Sequence, residues 1–487
     1  MHRRPALLLA LVIVSGAACE RLTPEQQLVH EAAEALGGLQ PVVTAQAIVL
    51  EGTGRQFNLG QDMRPGLAEQ TFTVSAFARA LDLTAPRMRT TLTRTPNFAY
   101  YQGPQAQTQV QGIDGDVGYS VNASGIATRT SATVAAELRI ERLHHPLVLL
   151  QLALDSDASL LPAPLADERA RDGERAILMH TNAGPITLVF DGEKRPIRIE
   201  SPGTHPNLGD VVLTTTYSDY AESDDLLLPT RMTTRVDDFT TGDYRVTSHI
   251  RQPDNLAAPA EALAAAVPGP PVVNVTTEAL APGVWFLAGQ SHHSVAVAFE
   301  DRLVLIEAPH SEARARAVLA KARELRPGTP VTHLVLSHHH FDHSAGLRAA
   351  IAGDLTVITQ TGNADFVSAM AARPFTRAPD ALARGPQPVR VESVDDTRTI
   401  SDRTRSLVLH HVAGNPHSDT LLMAYLPKER LLIEVDAFSP GGSYHPYAAN
   451  LLAHVERLKL AVDRVVPLHG AVVPWAELVA AARPSSR

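Results

Sequence analysis

The stretch Ser337-His338-His339-His340-Phe341-Asp342-His343 constrains this chain more than any other. Four imidazoles and a carboxylate follow directly on the apolar run Leu334-Val335-Leu336. A buried strand that ends in such a cluster presents these side chains together from one loop. Imidazole nitrogen and carboxylate oxygen are ligands for zinc and its transition-metal neighbours. Paired hydrolytic metals sit roughly 3.5–4 Å apart, so their ligands have to come from one rigid loop. His338 and His340 can flank one metal, and Asp342 and His343 can face a second. His339 lies between ligands and is expected to point away from the metals, with support of a ligand as the alternative.

Three later positions repeat the pattern of a His or Asp at the C-terminal end of an apolar run. His417 follows the run 407–412 through Gly414-Asn415-Pro416, Asp436 follows Leu431 to Val435, and His469 follows Val465-Val466-Pro467-Leu468. With these residues in place, the chain from about Val272 to its end resembles the metallo-β-lactamase superfamily. His338-x-His340-x-Asp342-His343 matches the family signature, and His417, Asp436 and His469 match its later ligands in order and context.

The resemblance implies an αββα sandwich with the metals at one edge. It implies one site of His338, His340 and His417, a second of Asp342, His343 and His469, and Asp436 as a bridge. The implied cofactor is a pair of zinc ions, with iron or manganese as alternatives. The implied chemistry is hydrolysis by an activated water, oriented by Asp342 as the catalytic residue. True metallo-β-lactamases usually lack a bridging Asp at the position of Asp436, and one large subclass has Cys there. The only Cys of this chain is Cys19. An ester, thioester or lactone is therefore the first expectation for the small-molecule substrate, with β-lactam hydrolysis second. An iron-dependent redox or sulfur-oxidising enzyme and a non-enzymatic lipid carrier are the further alternatives.

His292, His293, Tyr444, His445 and Tyr447 are candidates for the substrate pocket. The two histidines precede a strand, and the other three follow the flexible Pro440-Gly441-Gly442. Glu307-Ala308-Pro309 stands where many family members have Asp-Thr-Gly, and reads as a structural strand-end variant. His410 and His411 lie on a strand and are expected to pack. No Gly-rich phosphate loop and no serine nucleophile elbow is found.

At 487 residues the chain is expected to hold more than one domain. Its formal charge of −9 offers no basic footprint for nucleic acid. Residues 1–18 read as a lipoprotein-type signal: Arg3 and Arg4, the apolar run Leu7 to Val14, then small residues into Cys19. Lipidated Cys19 would anchor an exported, periplasmic protein to the membrane. Gly16 departs from the usual Leu, which leaves cleavage without lipidation open. Residues 19–254 read as a mainly antiparallel β domain, entered through a helix capped by Thr23 with Pro24 and Gln26. Thr133 to Leu154 reads as helix broken at Pro146. This half weakly resembles the half-barrel of periplasmic lipoprotein carriers, as a lipid or substrate cradle or a docking module. Residues 255–271, rich in Ala and Pro, read as a linker, and 272–487 as an α/β layered catalytic domain.

Overall fold

The computed structural model describes residues 21–98, 105–155, 158–164, 173–251, 255–441 and 446–483. The expectations for the signal, Cys19, Tyr444 and His445 lie outside these residues. Among the described residues no helix is long and apolar enough to cross a membrane.

The chain enters through the helix Pro24–Ala35. Thr23 and Gln26 form the expected reciprocal capping box. Leu28, Val29, Ala32 and Ala33 share its buried face. Gly37 ends the helix at φ 118°, where an added Cβ would meet Asp225 O at 2.2 Å, so only glycine fits. A short second helix, Leu39–Thr44, follows. Among the described residues, the strands of this half form one antiparallel sheet of thirteen. Its central pairing is non-local: the first strand, Ala47–Phe57, lies against the last, Phe239–Ile250, with Leu50 opposite His249. Each flank then unrolls as a meander away from that seam. The helices Ala132–Leu143 and Pro146–Ala153 break at Pro146 as expected. With the entry helix they pack on one face, where Leu147, Leu149 and Leu150 join Ile48, Leu50, Phe77 and Leu188 in one core. Within the stretch 255–271, Ala258 and Ala262 are buried against Tyr119, while residues 266–271 are exposed.

The second half is built of four layers. A seven-stranded sheet and a six-stranded sheet face each other. Val295, Val297, Phe299, Val335 and Ile358 of the first meet Leu407, Leu409, Leu422, Ile433 and Val466 of the second. The helices Glu312–Leu325 and Leu347–Ala352 cover one outer face, and Pro446–Arg457 and Trp475–Ala482 cover the other. This is the expected αββα arrangement. Strands Leu303–Ile306 and Val331–Val335 run parallel, as do Leu431–Glu434 and Arg464–Pro467. Their C-terminal ends open on one edge, where the metal-ligating candidates emerge.

The halves are tied together by polar contacts. Arg373 donates to Leu208 O, Asp210 O and the Asp237 carboxylate. Asp210 in turn accepts from Thr376 and Arg377 backbone amides. Gly209, at φ 70°, lies so close to Pro374 O that a Cβ would fall 2.1 Å from it.

Candidate metal centre

Side chains that follow five strands converge at this edge. His338, His340, His417 and Asp436 form one group of potential ligand atoms, all within 4.8 Å of one another. His292, Asp342, His343 and His469 form a second, within the same limit. Asp436 stands between the groups. Its Oδ2 lies 3.0 Å from His417 Nε2, 3.3 Å from His338 Nε2 and 2.9 Å from His343 Nε2, and its Oδ1 lies 2.6 Å from His469 Nε2.

The local chain explains these positions. Asp436 takes a left-handed backbone, φ 59°, immediately beyond its strand. The Glu434 carboxylate accepts from the Ala437 and Phe438 amides at 3.1 and 3.0 Å and so closes that turn. Burial, reinforced by the charge of Asp436, holds Glu434 well above the usual carboxylate range. Buried Asn415 accepts from the His417 amide and donates to Tyr447 O, fixing the loop that carries His417. His338 Nδ1 meets Ser337 Oγ at 2.8 Å. His343 Nδ1 meets Glu307 Oε2 at 2.9 Å. Both rings therefore turn Nε2 toward the opening.

Several atoms are arranged for cations. His338 and His417 face each other Nε2 to Nε2 at 3.2 Å, and His343 and His469 do so at 3.3 Å. His340 Nδ1 is buried without a partner. Burial pushes His338 and His340 well below the ordinary imidazole value, which keeps them neutral ligands. Burial also acts downward on His343, but Asp436, Asp342 and Glu307 hold it well above that value. Burial opposes ionisation of Asp342 and Asp436, yet His343 and its neighbours keep both well below the usual carboxylate range. Converging imidazole nitrogens, those of His338 and His340 held neutral, around ionised carboxylates fit divalent metal, which would take the place of the proton on His343.

The pocket candidates divide. His292 joins the second group itself: its Nε2 lies 3.1 Å from Asp342 Oδ2, and its ring centroid 4.0 Å from that of His469. Burial lowers its pKa to about 4, so it is neutral at pH 7. His293 joins neither group; its Nδ1 accepts from Gly289 N and its ring packs on Phe286. Tyr447 is buried, with its ring 5.5 Å from that of His417. His410 is buried and His411 binds Asp419 O, as packed residues.

Two roles were not visible in the residue pattern. Glu307 is more than a strand-end variant. Fully buried at φ 64°, it accepts from Ser337 N at 2.7 Å and from His343 Nδ1. A carboxylate one residue beyond an apolar strand was the available signal. His339 does turn from the clusters, but it is buried and paired with Asp62 at 2.8 Å, 277 positions earlier. No local pattern could supply that partner.

Residues 288–433 match the metallo-beta-lactamase superfamily. The match ends short of Asp436 and His469, which the tertiary structure places beside the ligand candidates within it. No curated protein matches the chain. Solved structures similar to it include the metallo-beta-lactamase from Pontibacter korlensis, at 16% identity over 43% of this chain and 97% of that one, TM-score 0.35. The metallo-beta-lactamase from Hirschia baltica gives 16% identity over 43% and 96%, TM-score 0.34. FIM-1 from Pseudomonas aeruginosa, in its mono-zinc form, gives 16% identity over 44% and 95%, TM-score 0.35.

Proposed function

We propose that this protein is an exported, zinc-dependent hydrolase that cleaves an ester, thioester or lactone at a two-metal site. The observation that carries the reading is Asp436, one carboxylate set among four imidazoles of two ligand groups. A pair of divalent ions held there would supply Lewis acidity and a shared water that ionises near neutral pH. The residues of the chain then divide the remaining work. Asp436 holds the two groups in register. Asp342 keeps Oδ2 toward the second group, placed to accept a hydrogen bond or a proton from the attacking water. Glu307 accepts from His343 Nδ1 and so keeps its Nε2 free to face inward, while Ser337 Oγ holds the His338 ring with Nε2 inward. No serine or cysteine nucleophile is required, so the reaction needs no covalent enzyme intermediate. Arg3, Arg4, the run Leu7 to Val14 and Cys19 support export with a lipid anchor.

The test is a screen of the mature protein with zinc across lactone, thioester, ester, β-lactam and phosphodiester substrates, with Asp436→Ala as control. Turnover of a carboxylic ester, thioester or lactone, lost in the control, is expected. Preference for β-lactams makes it a lactamase instead. Bound iron with oxygen consumption replaces the hydrolase reading by the redox one.

A further inference from the structure

The loop that carries the metal-ligating candidates is held from outside its own half of the chain. Segment 58–64 joins the strands Ala47–Phe57 and Thr71–Asp82 of the large sheet. Its contacts fall on the ligand-bearing residues themselves. Asp62 O accepts from His340 Nε2 at 2.9 Å, and Asp62 Oδ1 accepts from His339 Nε2 at 2.8 Å. Gln61 Nε2 donates to Asp342 Oδ1 at 2.8 Å. Phe341 N donates to Gly60 O at 3.2 Å. The fit is close: Gly60 sits at φ 75°, and a Cβ there would lie 2.2 Å from the Phe341 ring. Beside it, Asp419 N donates to Met63 O at 2.9 Å, and Arg64 pairs with Asp419.

His340 shows what these contacts do. A neutral imidazole carries one N–H, and the nitrogen without it is the ligand. His340 Nε2 faces a carbonyl oxygen, which can only accept, so the proton belongs there. That leaves the lone pair on Nδ1, the buried atom without a partner that faces the first group. The ligating tautomer is thus selected by a backbone oxygen of the other half. Gln61 does the same for Asp342: with Oδ1 occupied, Oδ2 is the oxygen turned to His292.

We propose that segment 58–64 is a structural part of the metal centre, so that metal loading and the docking of the two halves are one coupled equilibrium. The proposal rests on the metal-site reading above. Coupling between two binding events is reciprocal. Displacing the segment must weaken metal binding, and removing metal must loosen the segment.

Both directions are measured on the full chain without reference to any substrate. Zinc affinity is read by competition with a chromophoric chelator, and ligand geometry by the visible spectrum of the cobalt(II)-loaded protein. Gly60→Ala and Gln61→Ala are each expected to weaken zinc binding about 10–100-fold and to change the cobalt spectrum. Leu67→Ser, exposed at the far end of the same connection, is expected to change neither. In the unaltered protein, amide hydrogen exchange over 58–64 is expected to slow on adding zinc and to quicken with chelator. That measurement decides the matter even where a variant fails to fold. Exchange over 58–64 indifferent to zinc, or full zinc affinity in both folded variants, overturns the proposal while the metal site stands. A wild-type protein that binds no zinc overturns both.

Discussion

Replacing Glu307 is expected to remove one metal and leave the other. Its carboxylate takes two hydrogen bonds, from Ser337 N at 2.7 Å and from His343 Nδ1 at 2.9 Å, with no solvent contact. Hydrogen bonds to a charged group contribute roughly 1.5–3 kcal/mol each. Glu307→Ala removes both and is expected to cost about 3–6 kcal/mol, enough to unfold a marginal domain. Glu307→Gln is the informative change because it keeps the shape. Its amide oxygen still accepts from Ser337 N, but its amide nitrogen now faces His343 Nδ1 and can only donate. The favourable response is for His343 to move its proton to Nε2, the atom that faces the metal. Losing one charged hydrogen bond of about 1.5–3 kcal/mol corresponds to roughly 10–100-fold in affinity, the range known for partners of metal-bound histidine. His338, His340 and His417 do not touch Glu307, so the first group keeps its affinity. Chelator competition should therefore show one zinc step weakened in Glu307→Gln relative to the wild type and the other unchanged. Two unchanged steps, or equal weakening of both, refutes the reasoning that Glu307 acts through His343.

Two further outcomes follow from the geometry and from burial. His292→Ala should weaken the second zinc step at least about tenfold, because it removes an imidazole 3.1 Å from Asp342 Oδ2; an unchanged step excludes His292 from the site. In the large sheet, burial lowers His144 and His145 from 6.5 to about 3, so the folded state keeps both neutral while the unfolded chain protonates them. Their contribution to stability is complete above pH 6.5 and is lost as pH falls toward 3. Between pH 6.5 and 5 each is expected to cost roughly 1.6 kcal/mol, because the unfolded imidazole is already half protonated at pH 6.5. The unfolding free energy from urea titration in the presence of chelator should fall less steeply with pH in a His144→Gln/His145→Leu variant, by about 3 kcal/mol over that interval. An identical slope in the two proteins refutes the assignment.

The extent to which the chain was legible follows from the range of the interactions. The capping box at Thr23 and the break at Pro146 rest on neighbours within a few residues, so the residue pattern contains them. The seven metal-ligating candidates were legible too, because each follows an apolar run and parallel strands deliver such ends to one edge. Other features depended on closure of the fold. The seam between the first and last strands of the large sheet joins residues nearly 200 positions apart, such as Leu50 and His249. His292 enters the second group only because its loop is pinned by His293 N to Leu468 O at 2.9 Å.

The sequence by itself determined seven of the eight ligand candidates in the two groups, their chemistry and their order along the chain, since those depend on residue type and on short-range strand endings. The tertiary structure alone decided which nitrogen of His340 and of His343 is free to bind. That choice is made by the acceptor on the opposite side of the ring. For His343 it is Glu307, 36 positions away, and for His340 it is the Asp62 carbonyl, 278 positions away. A hydrogen bond selects a tautomer only when both partners are held within about 3 Å, and only the folded chain brings them that close.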